Sequence, residues 1–275
     1  MQIAKILLAV SLLFNSSSLF LEDNEEPVQL PILMYHEVKY QTPGKDSVLP
    51  EELEQDLRFL AEEGYTTVLM EDVIRYVYSG YALPEKPILL TFDDGYANNY
   101  QFLFPLLKRY RAKAVVSIIG KSADEFSRLP EDGGPYVHAA WKQLLEMRDS
   151  GLVELQHHSY DLHRNDRSGF GCARYNGEDE TEYELRIRKD SDRLQEELYR
   201  LTGKAASVFA YPYGIYDTVL EGIMEELGFA ATLTCDFGMN RLSGDPECLR
   251  GMKRICRSHG ADLKSLLDQA ALSAA

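Results

Sequence analysis

The chain first breaks from apolar into polar residues at "VQLPILMYH", residues 28–36, the pattern of a buried strand feeding a loop. In "SVLPEELEQDLRFLAEEGY", Leu53, Leu57 and Leu60 recur at helical spacing and Gly64 marks the stop. Next come "TTVLM", the amphipathic "EDVIRYVYSGY" and the continuous apolar "KPILLTF", read as strand, helix and strand. The alternation continues with the helical "YANNYQFLFPLLKRYR", the strand "KAVVSIIG", the helix "AAWKQLLEMRDSG" and the strand "LVELQHH". After a long polar connection come the charged helix "ETEYELRIRKDSDRLQEELYRLTG", the strand "ASVFAYPYG", the helix "DTVLEGIMEELG" and the strand "FAATLT". Strands that are apolar throughout, each followed by a helix, predict an α/β fold with a parallel sheet covered by helices. With about seven strands, a barrel is expected rather than an open sheet.

A barrel of this kind carries its chemistry at the C-terminal ends of its strands. Polar residues fall at four such ends: His36, the pair Asp93 and Asp94, the pair His157 and His158, and the run Tyr211 to Gly214. Their recurrence at one rim is a stronger signal than any one of them.

Composition narrows the partners. The chain has 275 residues, 45% of them hydrophobic, which suits one globular domain, taken as residues 28–275. A net charge of −15 argues against nucleic acid, whose phosphates demand clustered Lys and Arg. An anionic polymer stays open, because a cleft can differ in sign from the surface around it. Residues 1–27 hold one Lys, an apolar stretch from Ile6 to Phe14, small polar residues and an acidic segment. This is the layout of a secretory signal without an A-x-A cleavage site, or of an uncleaved anchor, and it predicts export to the cell envelope or beyond. The apolar run is shorter than the roughly 20 residues of a spanning helix, though Leu19 to Leu21 extend it. Cys172, Cys235, Cys248 and Cys256 form no C-x-x-C pair, so a cysteine zinc site is not expected. In an exported protein Cys235 could pair with Cys248 or Cys256.

Taken alone, "FDDG" reads as an ordinary turn that caps the next helix. "HSYDLH" changes that reading. His158 and His163 lie just past a strand, on a loop that can fold back to offer both imidazoles to one metal ion. Two histidines and one carboxylate leave coordination positions open for water and substrate. His157, one residue earlier, points to the opposite face and is read as structural or as support for the ligands. Adjacent aspartates in extended chain also point opposite ways, so one can hold the metal while the other takes a proton from the water it activates. A nearby histidine can protonate the leaving group, which completes a set for hydrolysis of an amide or ester.

In this order and spacing, "TFDDGY", "HSYDLH" and "FAYPYG" resemble the first three motifs of the polysaccharide deacetylase family, the NodB-homology carbohydrate esterases of family 4. "PILMYHEV" is similar to the opening of the subgroup that includes the biofilm poly-N-acetylglucosamine deacetylases, and the resemblance spans roughly residues 30 to 256. It implies a distorted (β/α)7-type barrel and a divalent metal, zinc first, with cobalt or nickel as alternatives. It also implies an acetylated polysaccharide as substrate, with N-acetyl groups favoured over O-acetyl. On the matched positions, Asp94, His158 and His163 are the metal ligands, Asp93 is the general base, and the Tyr213 backbone N–H helps form the oxyanion hole.

Two departures qualify the match. Where the third motif usually opens with an arginine that orients the base, this chain has Tyr211; Arg254 in "MKRIC" is the candidate replacement, with a surface ion pair as its alternative role. The usual late Leu-x-His motif, source of the general acid, is absent; His36 is the candidate acid and His259 in "RSHG" its competitor. The long loop "RNDRSGFGCARYNGEDETEY" is read either as a wall of the site or as a connector. Two other functions stay open: a barrel that keeps its metal but only binds carbohydrate, and an amidohydrolase or deacetylase of a small molecule.

Overall fold

A computed structural model describes residues 27–40, 44–129, 137–166 and 169–273. The expected leader lies, apart from Pro27, outside the described residues. Among the described residues no helix is long and apolar enough to cross a membrane.

Eight strands share one sheet: β1 Ile32–Tyr35, β2 Thr66–Val68, β3 Pro87–Phe92, β4 Ala114–Ile118, β5 Val153–His157, β6 Val208–Ala210, β7 Ala231–Leu233 and β8 Ile255–Cys256. Seven run in the order β7-β6-β5-β4-β3-β1-β8, and β2 lies against the start of β3. Every pairing is parallel. The sheet curls until its edges meet. A parallel bridge joins Leu233 to Met252, just before β8, with Thr234 N donating to Met252 O and Met252 N to Thr232 O, both at 2.9 Å. The expected curled barrel with seven strands around it is therefore the observed fold.

The helices are α1 Pro50–Glu62, α2 Met70–Ser79, α3 Phe104–Tyr110, α4 Gly120–Ser127, α5 Trp141–Asp149, α6 Glu180–Thr202, α7 Thr218–Glu226 and α8 Leu263–Leu272. Alternation along the strands separates two cores. Leu90 and Phe92 face outward, packed in one cluster with Leu57, Leu107, Leu144 and Leu194 of the surrounding helices. Leu89 faces inward with Ile32, Val115, Val208 and Leu233. α2 gives Met70, Val73 and Val77 to the inner cluster.

Some elements differ from the pattern-based expectation. "GKSADEFS" forms α4, although its apolar residues are too few to make a readable stripe. The helix expected across residues 96–111 is a π-helical turn, Asn99–Leu103, running into α3. The strand expected through "ASVFAYPYG" stops at Ala210, because Pro212 has no N–H to donate and Tyr213 turns left-handed at φ 58°. All four cysteines are free, so no pairing of Cys235 with Cys248 or Cys256 is present. At the edge seam, buried Arg257 meets Asp56 at 2.8 and 3.1 Å, and Tyr35 donates to the same carboxylate at 3.0 Å. This network ties α1 to β1 and β8.

Candidate active site

The last residues of β3 alternate across the sheet, which turns Phe92 toward the helices and Asp93 toward the barrel axis. Asp93 is 1% exposed, and its carboxylate meets the buried Arg254 guanidinium twice: Nη1 to Oδ1 at 2.9 Å and Nη2 to Oδ2 at 2.8 Å. Arg254 Nε donates to Thr234 O at 2.7 Å, which fixes the fork in one plane. Burial alone would raise the Asp93 pKa, but the guanidinium, with His158 behind it, holds the carboxyl below its usual value. The candidate arginine thus reaches the aspartate, from just before β8 rather than from the third motif. Tyr211, in the usual arginine position, is fully buried in the outer core, stacked on Tyr216 with ring centroids 5.2 Å apart.

Asp94 and Gly95 both take left-handed backbone, at φ 70° and 69°, so the chain turns at once and Asp94 leaves the strand. A Cβ on Gly95 would lie 3.2 Å from Ile118 Cγ2, a second reason for glycine here. These residues do not cap the next helix, whose N-cap is Asn98. Instead Asp94 is 5% exposed, and its Oδ1 lies 3.4 Å from His158 Nε2 and 3.2 Å from His163 Nε2. His138 Nδ1 holds the turn through Asp94 O at 3.0 Å.

His158 follows β5 on the inward face, and its Nδ1 lies 2.8 Å from Ala210 O. A carbonyl can only accept, so Nδ1 carries a proton and Nε2 is the atom that faces Asp94; burial alone would lower the His158 pKa, but the Asp93 and Asp94 charges raise it. His157 points outward as expected. It accepts from Ser159 N at 3.0 Å, donates to Ser191 O at 3.2 Å, and packs on Phe209 and Phe229. Burial pushes its pKa down to about 3, so it is a neutral core residue. The loop back to His163 turns at Ser159, φ 69°, and brings the imidazoles to 5.0 Å between centroids. Three of the four left-handed non-glycine residues among the described residues, Asp94, Ser159 and Tyr213, belong to this rim, the kind of local strain that functional sites hold.

Asp190, in the middle of α6, accepts from Tyr160 N and Asp161 N, both at 2.7 Å, and so clamps the loop between the two histidines. Sequence reading missed it. In a helix with charges on many positions, only its register on the buried side, between Ile187 and Leu194, could have drawn notice.

Asp94, His158 and His163 offer ligand atoms that all lie within 4.8 Å of one another. Asp94 Oδ1 is buried with no hydrogen-bond partner, and burial, then the neighbouring imidazole, pushes His163 down to about 4, the neutral form that ligates. An unsatisfied buried oxygen facing two imidazole nitrogens fits a divalent ion. His36 lies just past β1, where its carbonyl accepts from Asn99 Nδ2 at 3.1 Å. The competing His259 is elsewhere engaged: its Nδ1 is 2.9 Å from Glu52, in the first turn of α1. Tyr213 borders the site, its ring 4.3 Å from that of His163. The long loop is a built wall, a two-strand hairpin of Asn165–Asp166 and Gly169–Phe170 whose Phe170 stacks on Tyr213 at 5.0 Å.

The chain is similar to several known proteins. YxkH of Bacillus subtilis (strain 168) is 28% identical over 215 residues, covering 78% of this chain and 67% of that protein. The poly-beta-1,6-N-acetyl-D-glucosamine N-deacetylase of Escherichia coli (strain K12) is 29% identical over 243 residues, 81% of this chain, which spans only 35% of the length of that relative. A solved de-N-acetylase from Aggregatibacter actinomycetemcomitans superposes with a TM-score of 0.74 at 25% identity, over 88% of this chain and 99% of that one. The profile described as polysaccharide deacetylase matches residues 80–232, more than half of the sequence, and this chain therefore belongs to the polysaccharide deacetylase family.

Proposed function

We propose that residues 28–275 form an exported hydrolase domain that removes N-acetyl groups, and less readily O-acetyl groups, from a cell-envelope or extracellular polysaccharide. The observation that carries this reading is the convergence of the Asp94, His158 and His163 group with the arginine-held Asp93 at one barrel rim, in a chain of this family. An N-deacetylase of poly-N-acetylglucosamine among its relatives points to the same polymer class.

Asp94, His158 and His163 would hold a divalent ion, zinc first and cobalt or nickel next, which supplies Lewis acidity to activate water and polarise the acetyl carbonyl. Asp93 accepts the proton of the attacking water, and Arg254 keeps that carboxylate ionised and aimed. The Tyr213 N–H donates to the oxygen on which negative charge develops as the carbonyl becomes tetrahedral, an interaction that is strongest in the transition state. His36 then gives a proton to the departing nitrogen, so that the C–N bond breaks to acetate and a free amine.

The test is acetate release from poly-N-acetylglucosamine, chito-oligosaccharides, peptidoglycan and acetylated xylan. Activity on a glucosamine polymer should vanish with a chelator, return with zinc or cobalt, and fall at least about 100-fold in Asp93→Asn. Metal-loaded protein that binds these polymers but releases no acetate would be a carbohydrate-binding barrel instead.

A further inference from the structure

A polymer is held by more than the residue that reacts. The axial C–H face of a pyranose is apolar and packs on aromatic rings, while its hydroxyls stay in water. Next to the candidate active site the rings of His163, Tyr213 and Phe170 form a ladder: 4.3 Å and 33° between the first two, 5.0 Å and 20° between the second and third. Its inner end is a metal-ligand candidate. Its outer end is open, with Phe170 42% and Tyr213 38% exposed. Single exposed aromatics are common on protein surfaces, but a stacked pair continuous with a reaction centre is not scattered exposure.

The scaffold fixes Phe170 in this place. Gly171, at φ 54°, brings the hairpin against the Tyr213 turn so closely that a Cβ there would lie 2.8 Å from Pro212 O. Cys172 is buried behind it, and its carbonyl accepts from Tyr183 of α6 at 3.1 Å. Arg186 lies 3.8 Å over the Tyr175 ring, which itself packs on Gly169, and its Nε bonds Glu178 at 2.6 Å. The hairpin is thus bolted to α6 on one side, while its aromatic side chain is left unburied beside the metal loop.

We infer that Phe170, backed by Tyr213, is a stacking platform for a pyranose residue flanking the one that loses its acetyl group. The inference rests on the deacetylase reading above. The platform lets a chain of sugars bind through apolar ring faces, leaving the reacting acetamide to the polar centre next to His163. It also gives a role to an aromatic ring that is left 42% exposed beside the candidate site.

The test is a length series of β-1,6-linked N-acetylglucosamine oligomers, from dimer to pentamer, on metal-loaded wild type, Phe170→Ala and Phe170→Trp. Wild-type kcat/KM should rise with length. Phe170→Ala should flatten that rise and lower kcat/KM on the pentamer about five- to tenfold, through KM rather than kcat, and Phe170→Trp should restore it. Melting curves of all three variants check that the barrel is intact. Pentamer affinity, measured by calorimetry with Asp93→Asn as the common background, reads the platform without turnover. Weaker binding in Phe170→Ala with no acetate release by wild type would overturn the deacetylase reading and keep the platform. Equal affinity and an unchanged length dependence would overturn the platform alone, as would a Phe170→Ala chain that instead changes its self-association.

Discussion

At the scale of single residues, Arg254 does what no residue of the third motif does here. Its guanidinium reaches Asp93, Thr91 and Thr234 at once, at 2.9, 3.3 and 2.7 Å, all away from solvent. Lysine keeps the charge but is a point donor that cannot hold a carboxylate in two places while bonding a carbonyl behind it. Removing the cation leaves Asp93 buried and unpaired, so Arg254→Ala should lower the unfolding free energy by about 3–5 kcal/mol. Arg254→Lys should fold better than the alanine variant yet still lose about 10- to 100-fold in kcat, because the base is charged but no longer aimed. Denaturant melts and turnover on the same preparations would check both, and a lysine variant with wild-type kcat would remove Arg254 from the mechanism. Asp93, Asp94, His158 and His163 stood out in the sequence as candidates because each lies within a short motif. Arg254 was readable only as a candidate, because 161 positions separate it from the carboxylate it grips.

At the scale of elements, the site is a set of turns that strands and helices hold in place. The loop carrying both imidazoles spans six residues, and α6 closes it with one carboxylate: Asp190 takes both the Tyr160 and the Asp161 N–H groups. This contact does not touch the candidate ligands, but it sets how far apart they stand. Asp190→Ala should therefore weaken zinc or cobalt affinity by about 10- to 100-fold, the usual cost of losing support behind a ligand, while the barrel stays folded. Metal titration followed by calorimetry, with far-ultraviolet dichroism as the control, gives the answer; unchanged affinity would mean that the loop stands without its clamp. Periodicity found α6 but gave no reason to single out Asp190, since a polar residue on a charged helix reads as solvated until its neighbours across space are known. The same limit hid α4, whose few apolar residues are enough once α5 packs against it.

At the scale of the whole molecule, the two ends of the barrel hold acidic groups in opposite ways. At the C-terminal end Asp93 and Asp94 are kept charged by Arg254 and the histidines. Toward the other end of β5, Glu154 faces inward beneath His158, accepts from Glu71 N at 3.2 Å, and contacts Gln156. Burial pushes its pKa up to about 7, with the nearby Glu71 charge adding to the shift. The folded protein then binds a proton that the unfolded chain gives up near pH 4.5, so stability falls as pH rises between about 4.5 and 7. From pH 5 to pH 8, wild type should lose at most about 3 kcal/mol relative to Glu154→Gln, whose amide keeps the acceptor without the charge. Urea melts of both proteins across that range would measure the difference, and parallel curves would refute it. The sequence by itself determined the alternation of apolar strands and helices, the strand ends on which the candidate residues fall, and the local Asp-Asp and His-x4-His sets, because each depends on residues within a few positions of one another. Only the tertiary structure set His259 against Glu52, brought Arg254 to Asp93 and Asp190 to the loop between His158 and His163, and laid Phe170 on Tyr213. Those contacts depend on which strand ends become neighbours when the sheet curls shut, and no local pattern encodes that.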